Sequence, residues 1–463
     1  MQIAKRYDLR IKPEKGFYKT AFSLMLPIVL QNLISHMLGL SDTLMVGMLG
    51  ENELAAMTVA NTPFFILTLM TFGIQSGACV LVAQYYGKGD HDSINRVLGM
   101  GIYAGLIFTS IVTAVIAIFP EAVMRLMTNN MALVPIGARY ARIIGFAYVL
   151  GAISAIYLAV QRSMERAKLG AWILGGSALL NIFLNWVLIF GKFGMPALGM
   201  EGAAIATVFS RACEVAAVVI FAIRDKKFRV KPSLVLRPGK VIFSDFVRYA
   251  LPVMINETCW SLGISLYTVI MGYMQGSTAI LAASTLTSNV ERVVNVVLFA
   301  AGNATAVLVG KSIGEGGEER AYINAMALNK MGLFIGFINT ALLLLIRFVF
   351  AEPIIYPLMN MSSDAVEISN FMLMVLALTA PVRGLNLINV VGVFRGGGDV
   401  KTSLALDIMP MYVFCLPLAA LCSLVFKFGV VPMFLFKCSD EVIKFFFCIR
   451  HVASGKWIRN VTR

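Results

Sequence analysis

The sequence predicts an all-α polytopic membrane protein, with twelve transmembrane helices in two pseudo-symmetric six-helix lobes. Three observations carry this reading: an apolar composition, long apolar runs separated by alternately charged loops, and a repeat between the two halves. Of 463 residues, 59% are hydrophobic and only 14% charged, against about 25% charged in a soluble domain. Mean hydropathy is +0.80. So little polar surface excludes soluble multidomain enzymes, disordered chains and disulfide scaffolds.

Apolar runs broken by charge, Gly and Pro place first-half spans at about 20–48, 54–86, 94–119, 133–161, 169–190 and 202–223. The second half gives about 246–273, 278–312, 320–350, 364–393, 402–425 and 429–449. Residues 1–223 form the N-lobe with a basic tail, 224–245 a cytoplasmic linker, and 246–463 the C-lobe with a short basic end. Several runs exceed the roughly 20 residues that span a bilayer, so tilt is expected.

The net charge is +14, and its placement identifies its meaning. Basic residues fall in the tail (Lys5, Arg6, Arg10, Lys12, Lys15, Lys19), at Lys88 and Arg96, at Arg162, Arg166 and Lys168, and between Arg224 and Lys240. Lys311, Arg320, Arg395, Lys401, Lys456, Arg459 and Arg463 continue the series on the same side. Opposite lie little more than Arg125, Lys192 and Lys427. An even number of spans with both termini cytoplasmic explains the bias, and a nucleic-acid partner is superfluous. The basic N-terminus lacks a small-residue cleavage pattern and reads as a retained tail. The seven cysteines lie in or beside apolar segments without metal spacing and read as small hydrophobes.

The halves repeat in parallel. AFSLMLPIVLQN…LSDTLMVG in the first span matches FVRYALPVMINE…SLYTVIMG in the seventh, pairing Pro27 with Pro252 and Gly47 with Gly272. VLVAQYYGKGD matches VLVGKSIGEGG, setting Gly87 and Gly89 over Gly314 and Gly316. An offset of six spans keeps both copies in one orientation, which implies two lobes, a path between them, and rocking of one against the other.

Ionisable groups inside spans cost roughly 2.5–3.5 kcal/mol or more, so each needs a partner or a task. Asp42 is the sharpest case, a lone carboxylate in an otherwise neutral first span. At low dielectric it can trade a proton for a cation; the alternative is a hydrated structural carboxylate near the outer mouth. Asn181 and Asn185 lie four apart on one face of the fifth span, to bind a cation or substrate or to join helices. Glu257 follows Pro252 in the seventh span, either as a functional carboxylate or in a salt bridge for which Arg383 of the tenth span is the candidate partner. Arg211 with Glu214, and Glu291 with Arg292, read as structural pairs, with cleft lining as the alternative. In the last span, Lys437, Asp440, Glu441 and Lys444 recur at three and four residues and can compensate one another. Pro27, Pro252 and Pro381 each free a backbone carbonyl inside a span and permit bending. No metalloprotease, nucleotide-loop or nucleophile-elbow motif is present, so the chain reads as no enzyme, and ion gradients rather than ATP must drive it.

LPIVLQNLISHMLGLSDTLMVGMLG, VAQYYGKGD, LLNIFLNWVLIFGKFGMPALGMEGAAIATVFSR and SGKWIRNVT resemble the multidrug and toxic compound extrusion (MATE) family. The resemblance covers nearly the whole chain and is most specific from Asn181 to Arg211. It implies a twelve-helix, two-lobed exporter of small organic, cationic compounds by Na⁺ or H⁺ antiport. The protein would be a monomer in the plasma membrane, contacting lipid, with no cofactor beyond the coupling ion. The alternative within the superfamily is a flippase of lipid-linked precursors or an exporter of one metabolite. The family's first-helix aspartate matches Asp42 and its fifth-helix asparagine Asn181, which together would hold Na⁺. Asn185 stands where DinF-like members carry an aspartate, and Thr207 matches the sixth-helix threonine that completes that site. Trp260 stands where NorM-like members carry a glutamate, with Glu257 three residues earlier. Their tenth-helix aspartate falls at Gly384, beside Arg383. Glu257, Trp260 and Arg383 are thus the expected C-lobe cleft residues, and Pro27 the expected hinge.

Overall fold

A computed structural model of the protein describes residues 12–128, 130–359 and 361–462. Lys5, Arg6, Arg10 and Arg463, assigned above to the basic ends, lie outside the described residues. Every regular element among the described residues is helical. The first half comprises α1 (Phe17–Gly47), α2 (Glu51–Lys88), α3 (His91–Ile118), the short α4 (Pro120–Met127), α5 (Leu133–Ser163), α6 (Ala167–Phe190) and α7 (Gly199–Arg224). A single turn, α8 (Pro232–Leu236), precedes α9 (Lys240–Gly272), α10 (Ser277–Val294) and α11 (Val296–Gly314). Then come α12 (Glu318–Leu345), α13 (Tyr356–Leu358), α14 (Ser363–Leu387), α15 (Val400–Met409), α16 (Leu416–Ala420) and α17 (Val430–Ser454).

Wide, π-type turns extend α12 through Ile346–Ile355, extend α14 through Ile388–Phe394, and join α15 to α16 through Pro410–Cys415. Pro353 and Pro410 lie in two of these segments. A proline supplies no N–H to the regular ladder, and a wider turn absorbs the loss. Among the described residues, ten helices are long and apolar enough to cross a membrane. α9 and α17 complete the twelve spans: they run 33 and 25 residues, and internal charges such as Glu257 and Lys444 lower their hydropathy.

Two expectations about edges are corrected. The eighth span, read as one run over 278–312, is broken at Asn295 into α10 and α11. The break is held by Asn339, whose Nδ2 donates to Asn295 Oδ1 at 3.0 Å. The linker, read as 224–245, is shorter because α9 begins at Lys240; polar Lys240, Ser244 and Asp245 continue a helix that hydropathy does not mark. The linker packs on α3. Lys231 N donates to Asn95 Oδ1 at 3.0 Å, and Tyr103 Oη to Leu236 O at 3.0 Å. A Cβ on Gly99 would come within 2.1 Å of Val235 O.

The repeat is visible in the helix ends. α1 and α9 stop at the paired Gly47 and Gly272. Beyond α2 and α11, the paired Gly89 and Gly316 take left-handed φ of 78° and 80°, which favours glycine. One compact unit is Leu26–Met254; the other joins the described residues up to Met25 with those from Ile255 onward. The divisions therefore lie within α1 and α9, beside Pro27 and Pro252. Inside the first unit, the start of α9 meets α2 closely: a Cβ on Gly77 would lie 2.3 Å from Ala250 Cα.

Asp90 caps α3, accepting from Ser93 N at 3.0 Å and Ser93 Oγ at 2.7 Å. Burial pushes its carboxyl up, but the Ser93 hydrogen bonds and the Lys88 charge outweigh this and hold it below the usual value. Asp90→Ala is expected to cost about 1 kcal/mol, read as a lower Tm at pH 7. A depressed carboxyl contributes stability above its unfolded pKa and loses it as pH falls through the folded one. The Tm gap between wild type and variant should therefore close below about pH 4.

Candidate functional site

In the first unit, α1, α6 and α7 bring Asp42, Asn181, Asn185 and Thr207 into one hydrogen-bonded chain. Asn185 Nδ2 donates to Asp42 Oδ1 at 2.5 Å and to Asn181 Oδ1 at 3.0 Å. Asn181 Nδ2 donates to Thr207 Oγ1 at 3.1 Å, whose hydroxyl donates to Ala203 O at 2.9 Å. The four-residue spacing on α6 places both amides on one face, as expected. Both asparagines are buried, while Asp42 and Thr207 are half-buried. Asn185 Oδ1 is buried with no hydrogen-bond partner. Such an orphan acceptor costs about 1–3 kcal/mol, so an amide placed only to join helices would be poorly served.

Arg211 and Glu214 pair on α7 at 2.7 Å, as the sequence implies. Ser154 Oγ of α5 donates to Glu214 at 2.5 Å and fixes the pair. Asp42 lies within Coulombic reach of Arg211, whose charge Glu214 already balances. The polar chain thus offers a carboxylate, a hydroxyl and two amide oxygens, with its one ionisable member at the α1 end.

The C-lobe is wired differently from expectation. Glu257 pairs with Arg395 at 2.8 Å, not with Arg383. Arg395, read as a cytoplasmic loop charge, is 2% exposed and ends the wide-turn extension of α14. Arg383 instead pairs with Glu291 and, at 3.6 Å, with Glu441; Glu291 is therefore not partnered by the adjacent Arg292. Asn386 Nδ2 also donates to Glu441, at 2.8 Å to Oε2. Trp260 packs with Tyr412 and Leu416 against a cluster containing Tyr267 and Met271, so it joins an apolar core and not the charged group. Lys444 and Asp440 meet at 3.0 Å, as their spacing predicts.

Asp407 of α15 went unnoticed in the sequence. It accepts from Lys444 Nζ at 3.0 Å and from Asn256 Nδ2 at 3.1 Å. The signal that marked Asp42, a lone carboxylate inside an apolar run, was equally present there. Asn256 and Arg395 carried no such signal, since amides in spans are common glue and Arg395 adjoins a glycine-rich loop.

The MatE family model matches residues 27–187 and 252–421, so both halves of the repeat are recognised. The uncharacterized transporter YisQ of Bacillus subtilis is 26% identical over 467 residues, covering 99% of this chain and 98% of the relative. The probable multidrug resistance protein NorM of Thermotoga maritima is 22% identical, covering 95% and 93%. Among solved structures, an outward-facing multidrug resistance MATE family transporter of the MOP superfamily shares the fold. Its TM-score is 0.82 at 19% identity, with 96% of this chain and 99% of that chain covered. Twelve helical spans, a parallel repeat and a family match to each half leave one assignment: the chain belongs to the MATE family of membrane transporters and is not an enzyme.

Proposed function

We propose that the protein exports small organic cationic compounds in exchange for Na⁺ or H⁺ by alternating access, with the ion taken at Asp42, Asn181, Asn185 and Thr207. The buried chain ending on Asp42 is the observation that carries this reading. A proton would enter at the Asp42 carboxylate. Na⁺ would be held by Asp42, Asn181 Oδ1, Thr207 Oγ1 and Asn185 Oδ1, the last after a turn of the amide that gives its orphan oxygen a partner. Either ion removes the charge to which Asn185 now donates. Pro27, which offers no N–H to the α1 ladder and lies beside a unit boundary, is the hinge that responds. The transporter works as a monomer and needs no cofactor beyond the ion.

The decisive experiment imposes Na⁺ and pH gradients separately on inside-out vesicles and follows a fluorescent organic cation. Accumulation driven by one gradient without ATP supports antiport. Failure of both gradients, in vesicles that contain folded protein, rejects it.

Both termini and the linker belong on the cytoplasmic side under this reading. A cysteine introduced at Ser233 in a Cys-free background is expected to resist impermeant thiol reagents in intact cells and to react after permeabilisation. Labelling from outside would invert the topology.

A further inference from the structure

We propose that the C-lobe contains a second monovalent-cation site whose cation is built into the chain: the Lys444 ammonium, held by Asp407 and Asp440, with Asn256 bonded to Asp407 behind them. The proposal does not rest on the N-lobe reading, although the repeat connects them. The N-lobe chain is gathered by α1, α6 and α7, the first, fifth and sixth spans. Their counterparts are α9, the α15–α16 run and α17, and these supply Asn256, Asp407 and the pair Asp440 and Lys444.

Lys444 Nζ lies 3.0 Å from Asp407 Oδ1 and 3.0 Å from Asp440 Oδ2, and its side chain is 4% exposed. Asn256, 1% exposed, donates Nδ2 to Asp407, while its buried Oδ1 has no hydrogen-bond partner. Two carboxylates close on one ammonium, and Asn256, bonded to Asp407, adds a spare buried amide oxygen next to them: an oxygen cage for a single positive charge. The next charges outward are Glu441, near Lys444, Arg383, near Asp440, and Arg395, near Asp407; Arg383 is paired with Glu291 and Glu441, and Arg395 with Glu257.

The repeat also shows how a lysine came to fill the cage. Setting Arg224, the end of α7, over Ser454, the end of α17, places Arg211 over Glu441 and Glu214 over Lys444. The polarity of the pair is reversed between the lobes. The reversal puts a cation where the sixth span has a carboxylate, and that cation serves Asp407 and Asp440. Neither carboxylate can stay ionised in so buried a place without a cation. A tethered ammonium supplies one without the capture of an ion from solution. The C-lobe is therefore permanently loaded and exchanges nothing, leaving ion exchange to the other lobe.

Truncating the tether tests this. Asp42→Asn serves as background, and purified Asp42→Asn and Asp42→Asn/Lys444→Ala are titrated with Na⁺, K⁺ and n-butylammonium, with choline chloride holding ionic strength. The Lys444→Ala protein should gain about 3 °C in Tm at roughly 100 times the ligand Kd. The background should not. Adding Asp440→Asn leaves one carboxylate, tolerates the loss of the lysine better, and should still respond. Asp407→Asn/Asp440→Asn/Lys444→Met, in which every charge is removed, should fold and stay flat. No response in either Lys444→Ala protein overturns the proposal, as does an equal response in the neutral variant. A response already present in Asp42→Asn counts against the N-lobe assignment, and the C-lobe site is then read from the increment above it.

Discussion

Asp42→Asn is expected to abolish gradient-driven export while leaving expression and Tm close to wild type. The substitution is nearly isosteric, and the new amide oxygen still accepts from Asn185 Nδ2, so the helix contact survives. What disappears is the only ionisable member of the chain. Ion and substrate influence each other reciprocally, typically by about 5–150-fold in affinity. Substrate affinity measured against pH and Na⁺ should therefore vary in wild type and be flat in Asp42→Asn. Glu257→Gln should behave in the opposite way. Removing one partner of a buried ion pair costs about 3–5 kcal/mol, so Tm should fall as Arg395 loses its carboxylate, while ion dependence persists. Survival of ion dependence in the first variant and its loss in the second would move the coupling site to the C-lobe.

This asymmetry shows what was legible in the chain. Span number, the parallel repeat and the N-lobe residues could be read because each rests on a local signal: an apolar run, a paired glycine, a lone carboxylate, two amides one turn apart. Partners in the C-lobe could not, because they depend on helical phase across several helices. The wide turns over Ile388–Phe394 shift that phase between Arg383 and Arg395, and it is Arg395 that reaches Glu257. The Asn295 break is hidden for a related reason: the apolar run continues on both sides, and the amide from Asn339 that secures it comes from another helix. The start of α9 escapes because its first turns are polar.

Gly384→Asp is expected to give little or no folded protein, although aspartate is what NorM-like members place at the matching position. α12 and α14 meet backbone to backbone here. A Cβ on Gly384 would lie 2.4 Å from Gly332 O and 3.2 Å from Gly336 Cα. Across the contact, a Cβ on Gly336 would lie 2.6 Å from Pro381 Cα. Small residues one turn apart allow such approach, and packing then holds the helices where apolar burial cannot. No rotamer relieves a clash with backbone atoms, so even Gly384→Ala should cost at least about 1–3 kcal/mol. Aspartate adds a carboxylate whose Cβ would already face the Gly332 carbonyl oxygen, which raises the penalty further. Size-exclusion profiles and Tm should fall in the order wild type, Gly384→Ala, Gly384→Asp. The same contact explains why the C-lobe carries its carboxylates on α9, α10, α15 and α17 rather than at this point of α14. A well-folded Gly384→Asp protein that binds Na⁺ would show that α12 and α14 can part, and would reopen the tenth span as an ion site.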